Sequence, residues 1–336
     1  MRRGPTTPKA AAVALFAVLF AVPLVGANQY YVYTCNIVLI YIILTVGLNL
    51  VMGFAGQLVL ANAAIFGIGA YGVGLLQKHF MMPFWLGLPA GALIASAIGL
   101  VLVLPALRLS GIYLALATLA FAQCALWLMG HWTAVTFGAG GFTIPPVSFA
   151  PLPIGSDTGM YYLSWASCVL LLWAARNIVR SRIGRSFVAI RDHEISAQAL
   201  GIDLLRFKAI AFALSSFYAG MAGALFAGTL QFVGPESFDL RQMILQLVAV
   251  VLGGIASLPG SVIGGAMIVV ILELTKALKV SVEMVFGALL LGFVLVSPGG
   301  IVDVLRKRLP SWGEKLHGES ARSAPKSGSD AAEGPP

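Results

Sequence analysis

The chain has 336 residues, of which 59% are hydrophobic and 10% are charged, and its formal net charge is +8. Soluble domains carry about 25% charged residues, so this composition excludes a water-soluble fold. One helix needs about 20 apolar residues to cross about 30 Å of hydrocarbon. The length leaves room for about eight to ten such spans, and the sequence predicts an all-α, polytopic transmembrane helical bundle.

Apolar runs along the chain mark the candidate spans. They lie at about residues 10–27, 35–53, 58–76, 84–104, 111–130, 161–179, 208–230, 241–256, 261–275 and 283–297. The first run follows basic residues and ends in small ones, which fits either an uncleaved helix or a cleavable signal peptide. We interpret it as an uncleaved helix. The predicted organisation is then an N-terminus at 1–9, a transmembrane domain at 10–310 and a disordered tail at 311–336 that has almost no apolar residues.

The distribution of basic residues predicts the orientation in the membrane. Lys and Arg near span ends are retained on the cytoplasmic side. With the N-terminus inside, seventeen of the 21 basic residues lie inside, and the four outside are Lys78, Arg241, Lys276 and Lys279. Both termini are therefore predicted to be cytoplasmic. Topology explains the positive net charge, so the charge gives no reason to expect a nucleic-acid partner.

Two connections between spans are long enough to carry function. The first, at about 131–160, lies outside and is rich in Gly, Pro and aromatic residues, and the second, at about 180–208, lies inside. In the second, Asp192 is a candidate N-cap, apolar side chains recur at helical spacing, and Gly201 can supply a left-handed C-cap. These signals predict a short amphipathic helix on the cytoplasmic face, although such a helix could also simply lie on the bilayer surface.

Two glycine-rich segments, at about 47–74 and 253–265, interrupt the apolar pattern. Glycines permit broken helices whose exposed backbone groups line a pathway, and paired interruptions indicate a transport route. The alternative is close helix packing, with the amide side chains bonded between helices. The candidate pathway residues are Asn49, Gly53, Gly56, Gln57, Asn62, Gly253 and Gly254.

Several chemistries are missing from the sequence. It contains no GxxxxGK[ST] to cradle phosphates and no HExxH or GxSxG, and its connections are too short to hold an ATPase. The span interiors carry almost no acidic residues for an ion relay, since Glu273 lies near the outer end of its span. We therefore expect neither catalytic nor metal-binding residues, and any ATP dependence must come from another chain.

Four stretches together resemble one family. Residues 194–201, EISAQALG, resemble the cytoplasmic motif of ABC-importer permeases in the form found in branched-chain amino-acid permeases. Three further stretches agree in order and spacing: GLNLVMGFAGQLVLANAAIFGIGAYGVGLL from Gly47, LRLSGIYLALATLAFAQ from Leu107, and FYAGMAGALFAGTLQFVGPESF from Phe217 leading to VVLGGIASLPGSVIGG from Val250. The order is more similar to the M-type than to the H-type subunit.

The resemblance implies a non-enzymatic permease subunit in the bacterial inner membrane. It implies a second related permease, two ATP-binding subunits and an extracytoplasmic substrate-binding protein as partners. ATP and Mg would be used by the ATPases, and this chain would bind no cofactor. In the family the cytoplasmic helix, the coupling helix, docks on the ATPase. That role is carried over onto Arg191, Asp192, Glu194, Ala197, Ala199 and Gly201, although Ile195-Ser196 stand where two alanines are common.

The substrate implied by the resemblance is a branched-chain or other hydrophobic amino acid, and similar permeases carry urea or short amides. Two other classes of function compete with an ABC permease. A secondary carrier would need only an ion gradient, and a membrane structural or assembly protein would leave uptake intact when deleted. ATP-dependent uptake in vesicles separates the three.

Overall fold

The computed structural model describes residues 28–106, 109, 111–147, 155–278, 281, 284, 285 and 287. The predicted first span at 10–27, both predicted terminal segments and nearly all of the predicted span at 283–297 lie outside these residues. Eleven α-helices and one two-stranded sheet make up the described part. The prediction of an all-α bundle is confirmed.

The elements follow one another in the order of the predicted spans. They are α1 (Gln29–Asn49), which continues as a π-helical turn (Leu50–Phe54), α2 (Asn62–Phe80), α3 (Phe84–Ala106), α4 (Ile112–His131), α5 (Thr133–Thr136), a 3-10 turn (Gly138–Gly140), β1 (Phe142–Thr143), α6 (Ser156–Arg180), α7 (Arg182–Asp192), α8 (Glu194–Ala199), α9 (Leu204–Leu230), β2 (Phe232–Val233), a 3-10 turn (Pro235–Phe238), α10 (Leu240–Gly253) and α11 (Leu258–Leu278).

Six helices of the described part are long and apolar enough to cross a membrane: Gln29–Phe54, Phe84–Val101, Ile112–His131, Ser156–Arg180, Leu204–Leu230 and Leu258–Ala277. Helices α2 and α10 correspond to the predicted spans at 58–76 and 241–256 but are not among the six. Helix α10 has 14 residues. At about 1.5 Å per residue it is shorter than the hydrocarbon layer. It therefore extends through only part of the bundle.

Helices α1 and α9 form the centre of the bundle. Helix α1 is the most deeply buried of the six spans and packs against α6, α9 and α11, and α9 packs against α2 and α3 as well. Small residues allow α9 to approach α2 closely. A side chain at Gly69 would meet the backbone of Gly220, and one at Gly223 would meet the carbonyl of Phe66. In lipid no hydrophobic effect drives helices together, so close packing of this kind stabilises their association.

Contacts at one end of the bundle join three helices, α1, α9 and α11. Tyr30 at the start of α1 donates a hydrogen bond to Glu273 near the end of α11, and Asn36 donates to Thr229 near the end of α9 at 3.0 Å. Strand β1 pairs antiparallel with β2, with Phe142 opposite Val233. This end is the one that the distribution of basic residues predicts to lie outside.

Aromatic packing fixes the connection between α4 and α6 onto the bundle. The Phe142 ring lies 5.7 Å from that of Tyr71 and 5.2 Å from that of Phe137. The ammonium group of Lys78 lies 3.6 Å from the centroid of the Phe137 ring. Because Tyr71 also contacts Phe238, the outer connection is linked to the segment that leads into α10.

Candidate functional site

The opposite end of α1 is irregular. Its last turn is π-helical, with the N–H groups of Ala55 and Gln57 donating to the carbonyls of Leu50 and Val51. Gly56 has a φ of +69°, which favours glycine, and the chain then runs without regular structure to Asn62. The glycine-rich sequence at this point thus ends one helix and reverses the chain within the bundle.

Asn49, one turn before this end, holds the connection between α10 and α11. The side chain is fully buried, and its Nδ2 donates to Ser261 Oγ at 2.6 Å and to the Ser257 carbonyl at 3.1 Å. Its Oδ1 accepts a hydrogen bond from the backbone N–H of Ala256 at 3.0 Å. Ala256 has a φ of +59°, which is unfavourable for alanine, so Asn49 supports a strained turn.

The glycines predicted as pathway residues make close backbone contacts at the same place. A side chain at Gly53 would meet Asn49 Oδ1 and the Ala256 nitrogen, and one at Gly253 would meet the carbonyl of Gly260. Gly254 has a φ of +120° and ends α10. The two glycine-rich segments of the sequence are therefore joined, with Asn49 and Gly53 packed on the turn that contains Gly254.

The other predicted amides lie apart from this turn. Asn62 begins α2 and donates from Nδ2 to Gln246 Oε1 at 2.8 Å. Gln57 is 4% exposed, and neither atom of its carboxamide has a partner among the described residues. Gln242 and Gln246 were not among the predicted pathway residues. The available signal was the presence of two amide side chains four residues apart, and so on one face of a helix, in a largely apolar segment.

The predicted cytoplasmic helix is a pair of helices, α7 and α8, separated by a kink at His193. Asp192 was predicted to cap α8, and that prediction is wrong. Asp192 is the last residue of α7, and the extended residue His193 (φ −156°, ψ 103°) occupies the N-cap position. The Asp192 carboxylate instead accepts hydrogen bonds from Arg191 at 3.1 and 3.2 Å. The prediction for Gly201 is confirmed, because its φ is +82°.

Arg191 connects this helix pair to the irregular end of α1. Its Nη1 donates to the Gly53 carbonyl at 3.3 Å. A Cβ at Gly56 would lie 2.5 Å from Arg191 Cγ and 3.0 Å from its Cα. The backbone of α7 therefore rests directly on Gly56, and a shift of α7 must displace the end of α1 or break this contact.

Helix α8 is fixed on one side and exposed on the other. The Glu194 carboxylate lies 2.7 Å from Lys208 Nζ in α9, and the Lys208 side chain is 5% exposed. Ala197 is buried, whereas Ile195 is 86% and Leu200 81% exposed. Glu194 therefore holds α8 onto the bundle, while large apolar side chains point away from it.

The structure thus brings together Asn49, Gly53, Gly56, Gly254 and Arg191 at one place. Glu194, Ala197, Ala199 and Gly201 belong to α8 and its cap, beside that cluster. Within the described ranges, no three His, Cys, Asp or Glu side chains are arranged to hold a metal ion. The arrangement suits the transmission of movement between helices, since it is made of hydrogen bonds and close backbone contacts.

Comparison with known proteins identifies relatives over most of the chain. The family model for the permease component of branched-chain amino acid transport systems matches residues 30–296. The high-affinity branched-chain amino acid transport system permease protein LivM of Salmonella typhimurium is 32% identical over 84% of this chain and 72% of its own length. LivM of Escherichia coli K12 is 33% identical over 85% of this chain and 73% of its own length. The corresponding protein LivH of Salmonella typhimurium is 28% identical over 78% of this chain and 91% of its own length. No solved structure matches the chain.

Proposed function

This chain belongs to the family of branched-chain amino acid transport permease components, as its motifs predict, and we propose that it forms one half of the channel of an ATP-dependent importer. Members of the family are membrane subunits of transporters, and the six apolar helices make this chain a multi-pass inner-membrane protein. In the proposed assembly, a second related permease completes the channel and two ATP-binding subunits hydrolyse ATP with Mg. An extracytoplasmic binding protein delivers branched-chain amino acids.

The contact of Arg191 with Gly53 and Gly56 is the observation that carries this proposal. A coupling helix must convert movement of the ATPases into movement of membrane helices, and α7 touches the one end of α1 that also holds the α10–α11 turn. The exposed side chains of Ile195 and Leu200 supply an apolar surface on the same helix pair for the ATPase.

An ion-coupled carrier is disfavoured by the positions of the acidic groups. In the described spans, Glu273 lies near the outer end of α11, where it is bound by Tyr30 and Lys276. A proton or cation relay would need ionisable groups through the span interiors. Urea and short amides stay open as substrates, because the described residues do not select between these and an amino acid.

Uptake by the reconstituted complex tests the proposed function. Vesicles that contain both permeases and both ATPases should accumulate labelled leucine only with ATP and the loaded binding protein. Uptake driven by an ion gradient without ATP would contradict the proposal. Competition by leucine, isoleucine and valine, but not by urea or acetamide, would identify the substrate class.

The proposed orientation has the termini and α8 in the cytoplasm and the β1 strand outside. Ser196 and Thr143 are both exposed, so cysteines placed there in a cysteine-free background should react with an impermeant thiol reagent from opposite sides of the membrane. Intact cells should label the Thr143→Cys variant, and inverted vesicles should label the Ser196→Cys variant. Labelling of both variants in intact cells would reverse the orientation.

The proposed ATPase docking surface should be lost when its apolar side chains become charged. The double variant Ile195→Asp, Leu200→Asp should insert normally but retain less than about a tenth of the ATPase during purification, since each buried apolar side chain contributes about 1.5–3 kcal/mol. Met81→Asp is the matched control, because Met81 is also 86% exposed but lies at the predicted outer end. Full retention of the ATPase in the double variant would place the docking surface elsewhere.

A further inference from the structure

Two glutamines on α10 share one face of that helix. Gln242 and Gln246 are four residues apart, a spacing that places their side chains one above the other. They are 8% and 2% exposed, so both lie inside the bundle. Their position is central, because Tyr41, the partner of Gln242, lies halfway along the helical run Gln29–Phe54.

Hydrogen bonds fix both carboxamides through their oxygen atoms. Tyr41 donates from its hydroxyl to Gln242 Oε1 at 3.0 Å, and Asn62 donates from Nδ2 to Gln246 Oε1 at 2.8 Å. The Nε2 atoms of both glutamines have no partner among the residues that the structure describes. A carboxamide nitrogen can only donate, and a buried donor without an acceptor is rare enough to require a reason.

The start of α2 adds to the preference for a negative group. Asn62 is the first residue of this 19-residue helix. The hydrogen bond from Asn62 places the Gln246 carboxamide at this end of α2, where the first N–H groups of a helix have no partner within the helix. The helix dipole there favours an anion. Asp239 is the acidic residue nearest to Gln242 in sequence, and its carboxylate caps α10 on the exposed side by accepting from the Gln242 backbone N–H at 3.1 Å.

We propose that Gln242 and Gln246 bind the carboxylate of the amino acid as it passes through the channel. The two carboxamide NH2 groups, whose oxygens already accept from Tyr41 and Asn62, can donate to the oxygens of a carboxylate but cannot accept from an ammonium group. Both are covered in this conformation, so the site opens when α10 moves away from α1 and α2. Helix α10 is suited to such a shift, because it is short and is interrupted at both ends, by the 3-10 turn Pro235–Phe238 and by Gly254. The inference rests on the proposed function.

Equilibrium binding to the permease–ATPase complex in lipid nanodiscs tests this site without the binding protein. The ligands are labelled leucine, leucinamide, which lacks the carboxylate, and urea. Gln246→Glu keeps the oxygen that accepts from Asn62 and replaces the carboxamide NH2 group by an oxygen. It should weaken leucine binding at least about tenfold, the scale of a hydrogen bond to a charged group, and weaken leucinamide binding much less. Gln242→Leu should weaken leucine binding by a similar factor.

Gln77→Leu is the matched control. Gln77 is also a buried glutamine, and its oxygen has no partner within the described ranges, but it lies near the other end of α2. Its replacement should leave leucine binding unchanged. All variants are compared only after the ATPase is shown to co-purify. A variant that fails this check is replaced by Gln242→Glu, which carries the same expectation as Gln246→Glu.

Three outcomes would overturn the inference. Leucine binding within about twofold of the wild type in both glutamine variants, well below the loss of a hydrogen bond to a charged group, would mean that the carboxamides hold only water. Equal losses for leucine and leucinamide in Gln246→Glu would indicate a structural role. A wild-type complex that binds none of the ligands would also refute the site. Wild-type binding of urea but not leucine would refute the proposed substrate instead. The carboxylate site would then fall with the substrate, because urea has no carboxylate.

Discussion

Replacing Gly56 by leucine is expected to reduce uptake at least tenfold while the protein still inserts into the membrane. Two costs combine at this position: a side chain at a positive φ costs about 1–3 kcal/mol, and overpacking costs about 1–3 kcal/mol. The new side chain would collide with Arg191, whose Cα would lie 3.0 Å from the added Cβ. Helix α7 would be pushed away from the end of α1. Initial rates of leucine uptake and ATP hydrolysis in reconstituted vesicles measure the effect.

Gly111 provides a control that separates the two costs. It also has a positive φ, +58°, but a Cβ at this position would meet no described atom within 4 Å. Gly111→Leu therefore carries the backbone strain without the collision. Hydrolysis that continues in Gly56→Leu without stimulation by the loaded binding protein would identify a break in coupling. Equal losses of uptake in the two variants would show that the contact with Arg191 does not matter.

Replacing Asn49 by leucine should give the largest loss of stability. The substitution leaves the Ala256 N–H without its side-chain partner in a partly buried turn, which costs about 1–3 kcal/mol. It also removes the hydrogen bonds that Asn49 donates to Ser261 Oγ and to the Ser257 carbonyl, each worth about 0.5–1.5 kcal/mol. The strained φ of Ala256 loses its support at the same time. We expect a loss of at least about 2 kcal/mol on this basis, seen as a lower midpoint of thermal unfolding for the purified complex, together with lost uptake.

Asn36→Leu is the matched control on the same helix. Asn36 is 2% exposed, but within the described part of the chain its side chain makes a single hydrogen bond, to Thr229. Its replacement should cost about 1 kcal/mol, the usual net value of one such bond. A stability of Asn49→Leu equal to that of Asn36→Leu would mean that the α10–α11 turn holds its shape without the amide.

The sequence allowed the general class and several local features to be predicted. The proportion of apolar residues requires a membrane bundle, because so few charged groups cannot cover a soluble surface. Gly201 was identified as a helix cap because a local rule applies, in which the last turn needs a residue at positive φ. Asn49 and Gly254 were identified as candidates because amides and paired glycines are unusual within apolar spans. Their roles in transport stay predictions.

The features that were missed depend on residues far apart in the chain. Arg191 reaches Gly53 across 138 positions, and Asn49 reaches Ala256 across 207. Gln242 and Gln246 became candidates for a binding site only through their contacts with Tyr41 and Asn62, which donate hydrogen bonds to their oxygens. No pattern within one segment reports such contacts. Asp192 shows the same limit on a small scale, since its N-cap signal was local and the kink at His193 moved the start of α8 by one residue.

The sequence by itself determined that this chain is a helical membrane permease, where its helices are interrupted and to which family it belongs, because composition, periodicity and motifs are local properties of the chain. Only the tertiary structure decided that the two interruptions meet and that Arg191 rests on one of them. It also decided that Glu194 is held by the buried Lys208 and that the NH2 groups of Gln242 and Gln246 have no partner among the described residues. Close packing of glycine-lined helices fixes these contacts, since a side chain placed at Gly53 or Gly253 would drive the backbones apart.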